Sequence, residues 1–219
     1  MSDVTITVRG ENEVRVAPER ATIHVTVRAE GPARATVVEQ VAERAEPVRT
    51  GIAERQDAGA VIEWNSKRLA VRAERPWNDQ GRQLAPVYYA SIDFAATFTE
   101  ASELSIWVSE ISAWDGVDVG WVNWHLTPQT RADIEREVAS SAVGVAVQRA
   151  QAYAAALGLE SVTPVEIADT GLISREQAAP QMLKARGAAF AAADSAPVME
   201  YEPEDIVVSA TVEARFTAR

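Results

Sequence analysis

The chain has 219 residues, a formal net charge of −11 and no cysteine. Such acidity repels a phosphate backbone and argues against nucleic acid as a partner, and the lack of cysteine excludes disulfides and thiolate metal sites. A chain this long buries roughly 70% of its unfolded surface without covalent staples, and no stretch reaches the roughly 18–20 apolar residues of a membrane helix, so no membrane insertion is expected.

The opening MSDVTITVRG has neither the basic nor the apolar part of a secretion signal, and a cytoplasmic location is expected. Val4, Ile6 and Val8 alternate with Thr5, Thr7 and Arg9. GEN at 10–12 reads as a turn or bulge, and Val14 and Val16 resume the alternation. After a corner at APER, Ala21, Ile23, Val25 and Val27 alternate with Thr22, His24, Thr26 and Arg28. Period-two alternation marks strands with one buried and one wet face, here expected as an opening hairpin.

From about Ala33 the period becomes helical, with Val37, Val38, Val41, Ala45, Val48 and Ile52 on one stripe. Pro47 is expected to kink or break this helix, and Gly51 with DAG at 57–59 to end it. Strand signals return over 61–73 with Ile62, Trp64, Leu69 and Val71, followed by a connection rich in turn residues that contains Trp77. The next strand is the clearest: Tyr88, Ala90, Ile92, Phe94, Ala96 and Phe98 share one face. Thr99 is the expected cap of a helix carrying Leu104, Trp107, Val108 and Ile111, and a short strand covers 117–126. Thr127 with Pro128 opens a long helix whose stripe is small, Ala142, Ala146, Ala150 and Ala154, and Gly158 closes it. A strand at 162–168 precedes a long alanine-rich loop or arm at about 169–204, in which MLKARGAAFAAA reads as a short helix. The last strand alternates from Ile206 to Phe216.

The order β-β-α-β-β-α-β-α-β-β, with a split βαβ pattern over 20–127, implies an α+β fold: an antiparallel sheet with helices packed on one face. No linker divides the chain, so residues 1–219 are expected to form a single domain.

Three pieces carry a family resemblance. ITVRGENEVRVAPERATIHVTV fits an opening of the type V-x-G-x-G-x-x-x-x-x-P-D-x-A at Gly10, Pro18, Arg20 and Ala21, with Asn12 and Glu19 where glycine and aspartate are common. RAQAYAAALGLESVTPVEI resembles an alanine-rich helix closed by Ala-Leu-Gly and a strand, and PEDIVVSATVEARFTA resembles a terminal strand. In this order and spacing they resemble the SIMPL-domain family, which includes bacterial periplasmic and outer-membrane immunogenic proteins. The resemblance implies the fold and a tendency to form homo-oligomers, ring-like or channel-like in some relatives. It implies no reaction. Most members carry an export signal, a pattern from which this opening departs.

Candidate chemistry is sparse. His24 lies on a polar strand face and His125 between Trp124 and Leu126, with no serine and carboxylate spaced to complete a triad on either. Glu200, Glu202, Glu204 and Asp205 make an oxygen-rich cluster without calcium-loop spacing, and read as a solvated acidic turn. Neither a phosphate-binding loop nor a dinucleotide fingerprint occurs, so no cofactor is expected. Six tryptophans stand out. Trp64, Trp107 and one of Trp121 and Trp124 are expected in the core; the latter two have opposite strand parity and share a face only across a bulge. The candidate interface residues are Trp77, Trp121, Trp124, Met182 and Phe190, since exposed aromatics anchor protein contacts. The first expectation is therefore a non-catalytic homo-oligomeric protein whose main partner is itself. The others are a small-molecule binder or enzyme using a tryptophan-lined surface, and an adaptor for another protein, for instance in stress physiology.

Overall fold

A computed structural model describes residues 3–173 and 201–219. The elements among them are β1 (Val4–Val16), β2 (Arg20–Gly31), α1 (Arg34–Asp57), β3 (Val61–Ser66), β4 (Ala70–Glu74), β5 (Val87–Phe98), α2 (Ala101–Ile111), β6 (Val117–His125), α3 (Pro128–Ala156), β7 (Val162–Asp169) and β8 (Ile206–Ala218). The fold is α+β with antiparallel pairing throughout, and the element order is close to that read from the sequence, with the 61–73 run divided into β3 and β4. The strands form two sheets, β1-β8-β7 and β3-β5-β2-β6, with β4 also on β5. Two compact units result, one holding β1, α3, β7 and β8, the other β2 to β6 with α1 and α2. The expected short helix within 182–193 lies outside the described residues, as does most of the expected arm.

The opening hairpin is not formed. β1 runs unbroken through Gly10–Asn12 and pairs with β8 from Val4↔Ala218 to Val16↔Ile206, while β2 pairs with β5 and β6. The link Ala17-Pro18-Glu19 has none of the Asn-Gly or Gly positions that reverse a strand in two residues, and the chain passes to the other sheet instead.

In the larger unit, Ala21, Ile23, Val25 and Val27 of β2 and Phe94, Ala96 and Phe98 of β5 meet the buried faces of α1 and α2. β2 and β3 both lie antiparallel to β5, on either side of it, and α1 joins them, which is the split βαβ arrangement. Helix α1 continues through Pro47 to Asp57. Its stripe of Val37, Val41, Val48 and Ile52 is fully buried, and this packing outweighs the single donor that proline removes. Gly51, expected near the helix end, is instead buried within it against the Trp107 indole. Thr99 does not cap α2; its hydroxyl donates to the Ala60 carbonyl at 3.3 Å, and Glu100 holds the cap position.

Two bulges reset strand phase in the larger unit. One lies between Val61 and Glu63 and leaves Ile62 exposed while Val61 and Trp64 pack toward the core. The other is on β6, where Val119 pairs with Val25 but Val122 with Ile23. The extra residue keeps Val117, Val119, Val122 and Trp124 against the core and turns Trp121 outward. Gly120 belongs to this bulge because a Cβ there would stand 2.8 Å from the His24 carbonyl oxygen.

In the smaller unit, Thr127 caps α3 as expected, its hydroxyl accepting from the Thr130 N–H at 3.2 Å. Ala142, Ala146, Ala150 and Ala154 are buried against Ile6, Val8, Val212, Ala214 and Phe216. The approach is tightest at Gly10, where a Cβ would lie 2.7 Å from the Ala146 nitrogen and closer still to the Ala142 carbonyl oxygen. Leu126, Val138 and Val208 form a second apolar cluster in the same unit.

Candidate functional site

The helices cover one face of the five-stranded sheet, and the wet residues of the alternating strands tile the other. Cross-strand pairing sets them in rows. Arg72, Tyr89 and Glu30 form one row, Ala70, Ser91 and Arg28 the next, and Asp93, Thr26 and Asp118 the third. Small residues in the middle row leave a depression of about 670 Å³, lined by side chains of all three rows together with Arg44. Arg72 lies over the Tyr89 ring with its guanidinium carbon 5.0 Å from the centroid, and its Nε–H donates to Glu74 at 2.8 Å. Arg28 pairs with Asp118 at 2.7 Å, and the Thr26 hydroxyl donates to Asp93 Oδ1 at 2.8 Å. Arg44 closes one end by donating to the Arg28 carbonyl at 2.9 Å and pairing with Asp115.

The described aromatic candidates lie on different parts of the larger unit. Trp121 is 65% exposed and stacks on His24 with ring centroids 4.3 Å apart. Trp124 packs on the core, edge-on to Tyr201, whose hydroxyl is pushed above its ordinary range by burial. Trp77, 67% exposed, lies in the β4–β5 connection and bridges to Gln83. Met182 and Phe190 lie outside the described residues, as does Glu200 of the acidic cluster. His125 is held by a local 3.2 Å contact between its Nδ1 and the Asn123 carbonyl. Among the described residues no three histidine or acidic side chains gather as metal ligands.

In the smaller unit the two sheet edges differ. β7 is interrupted by Pro164 and a bulge before Glu166, features that blunt an edge. Among the described residues β1 is an edge strand of 13 residues, paired with β8 without a bulge. At its middle, Arg149 donates to the Arg9 carbonyl at 2.7 Å and Arg9 pairs with Glu213 at 3.2 Å. Toward its start, Val4–Thr7 and the helix-end residues Tyr153, Ala156 and Leu157 line an open apolar groove of about 490 Å³. Tyr153 and Leu157 are both exposed.

This topology and the pieces quoted above agree with a family match over nearly the whole chain. Residues 6–216 match the model described as SIMPL, a protein of unknown function (DUF541). The chain belongs to the SIMPL family. Comparison with curated proteins gives no match. The SIMPL assignment therefore identifies the fold without assigning a reaction. Neither the charged depression nor the groove at Tyr153 and Leu157 was singled out from the sequence. Arg28, Asp93 and Tyr89 do fall on the strand faces read as wet, but their convergence depends on sheet register.

Proposed function

We propose that this SIMPL protein is non-catalytic and assembles with further copies of itself through the smaller unit. The observation that supports this is the start of β1, an edge strand among the described residues, beside the exposed Tyr153 and Leu157. An edge strand offers unpaired N–H and C=O groups for a strand of a second copy, and the flanking apolar groove offers area to bury. The acidic chain and the lack of phosphate-binding motifs favour a protein partner over a nucleotide or nucleic acid.

Removing β1 to test this would also remove a sheet partner of β8, so surface substitutions are the cleaner probe. Light scattering on the wild-type protein is expected to return a discrete multiple of the 23.7 kDa chain mass. Tyr153→Lys with Leu157→Glu is expected to reduce that multiple with the circular dichroism unchanged. A wild-type monomer at all concentrations up to the millimolar range contradicts the proposal.

A further inference from the structure

The depression on the open face of the five-stranded sheet is independent of the self-association surface. It lies in the larger unit and no tryptophan lines it. Its floor is low because Ala70 and Ser91 occupy the middle row, between Arg72 and Tyr89 on one side and Asp93 on the other. Tyr89 and Asp93 are four residues apart on β5, so about 13 Å separates their Cα atoms at the usual rise per residue. Arg72 lines the depression from the Tyr89 row, so a ligand that spans from it to Asp93 has the length of a short peptide.

Among the described residues, the hydrogen-bonding capacity of this lining is not used up. Arg72 gives Nε–H to Glu74, leaving the two terminal nitrogens of its fork. Its ion pair is solvent-exposed and therefore weak competition for a ligand. Asp93 accepts from Thr26 at Oδ1, leaving Oδ2. Arg28 stands in the middle row as a second guanidinium. An anion alone would meet Asp93, Glu30 and Asp118, and a cation alone would meet Arg28, Arg44 and Arg72. A ligand with separated opposite charges meets complementary groups at both ends. Guanidinium forks take carboxylates in two parallel hydrogen bonds, and a carboxylate takes an ammonium.

We infer that this depression binds a short zwitterionic peptide, its carboxylate toward Arg72 and Arg28 and its ammonium toward Asp93. The test is a 1H–15N titration of the full chain with glycylglycine, with acetate and methylammonium as single-charge controls. Saturable shifts at amides of Arg28, Arg72 and Ser91 are expected with the dipeptide, and at least tenfold weaker binding of either control. Asp93→Asn keeps an acceptor for Thr26, and Arg72→Gln alters an exposed side chain, so both are expected to fold and each to weaken the dipeptide by about tenfold. The inference is overturned if the dipeptide gives no saturable shift, if both variants bind it as the wild type does, or if one control binds equally well. None of these results bears on the assembly of copies, which is read from the mass.

Discussion

The two units cover their sheets in opposite ways. In the larger one, α1 and α2 bring Val, Ile, Leu and Trp107 onto Phe94 and Phe98, side chain against side chain. In the smaller one, α3 brings a row of alanines so close to β1 that Gly10 has no room for a Cβ. Large side chains bury more apolar area, at about 25 cal/mol per Å², whereas small ones gain contact by backbone approach. The outer surfaces differ too. The larger unit carries paired charges on its open face and leaves Ile62, Trp77, Ile106 and Trp121 exposed, while in the smaller unit the exposed Tyr153 and Leu157 line one groove. The difference teaches that the two units build their cores from side chains of different size, and that the proposed self-association rests on the groove at Tyr153 and Leu157 rather than on any excess of exposed apolar residues.

Substitutions sharpen this contrast in decreasing order of effect. Trp107→Ala empties the centre of the larger core, and chemical denaturation is expected to give a loss of about 3–5 kcal/mol. Trp107→Phe is expected to lose much less, because the buried indole N–H has no hydrogen-bond partner among the described residues to forfeit. Gly10→Ala pushes a methyl into the α3 backbone and is expected to cost about 3 kcal/mol, with hydrogen exchange accelerated in β1, β8 and α3 but not in β2 or β5. Equal acceleration in both units would break the comparison. Thr127→Ala removes the α3 cap and is expected to cost about 1 kcal/mol. The smallest effect is that of pH on the same helix. A hydrogen bond from Gln129, then the contact with Arg136, hold the exposed Asp133 carboxyl below its ordinary 3.8. A depressed carboxyl stabilises the folded state fully above its unfolded value, and that contribution is lost as the pH falls through the folded one. Asp133→Asn is expected to flatten the acid limb of α3 melting slightly.

Much of this fold was legible because alternation and helical period report which side of an element is buried. The β5 and β8 runs, the Thr127 cap and the alanine stripe of α3 all lie where those signals put them. Alternation does not report the neighbouring strand, which is why β1 read as the partner of β2 although it pairs with β8. Nor does it report bulges: Ile62 and Trp64 share strand parity, yet Ile62 is exposed while Trp64 packs toward the core. Pro47 read as a kink or break because local cost is visible in a sequence, whereas the buried stripe that offsets it depends on tertiary packing. Gly10 stood out as part of a motif, but its reason, the helix backbone above it, comes from the packing of α3, far along the chain, against β1. The charged depression needed the register of three strand pairs before Arg72 and Asp93 could be set on either side of Ser91.

The most direct test of the smaller unit as the assembling surface is hydrogen exchange measured at high and low protein concentration. Concentration-dependent protection of the Val4–Thr7 amides and of the α3 end near Leu157 is expected, with exchange around Trp77 and Trp121 unchanged. Protection that appears only around Trp77 and Trp121, or nowhere, would contradict it.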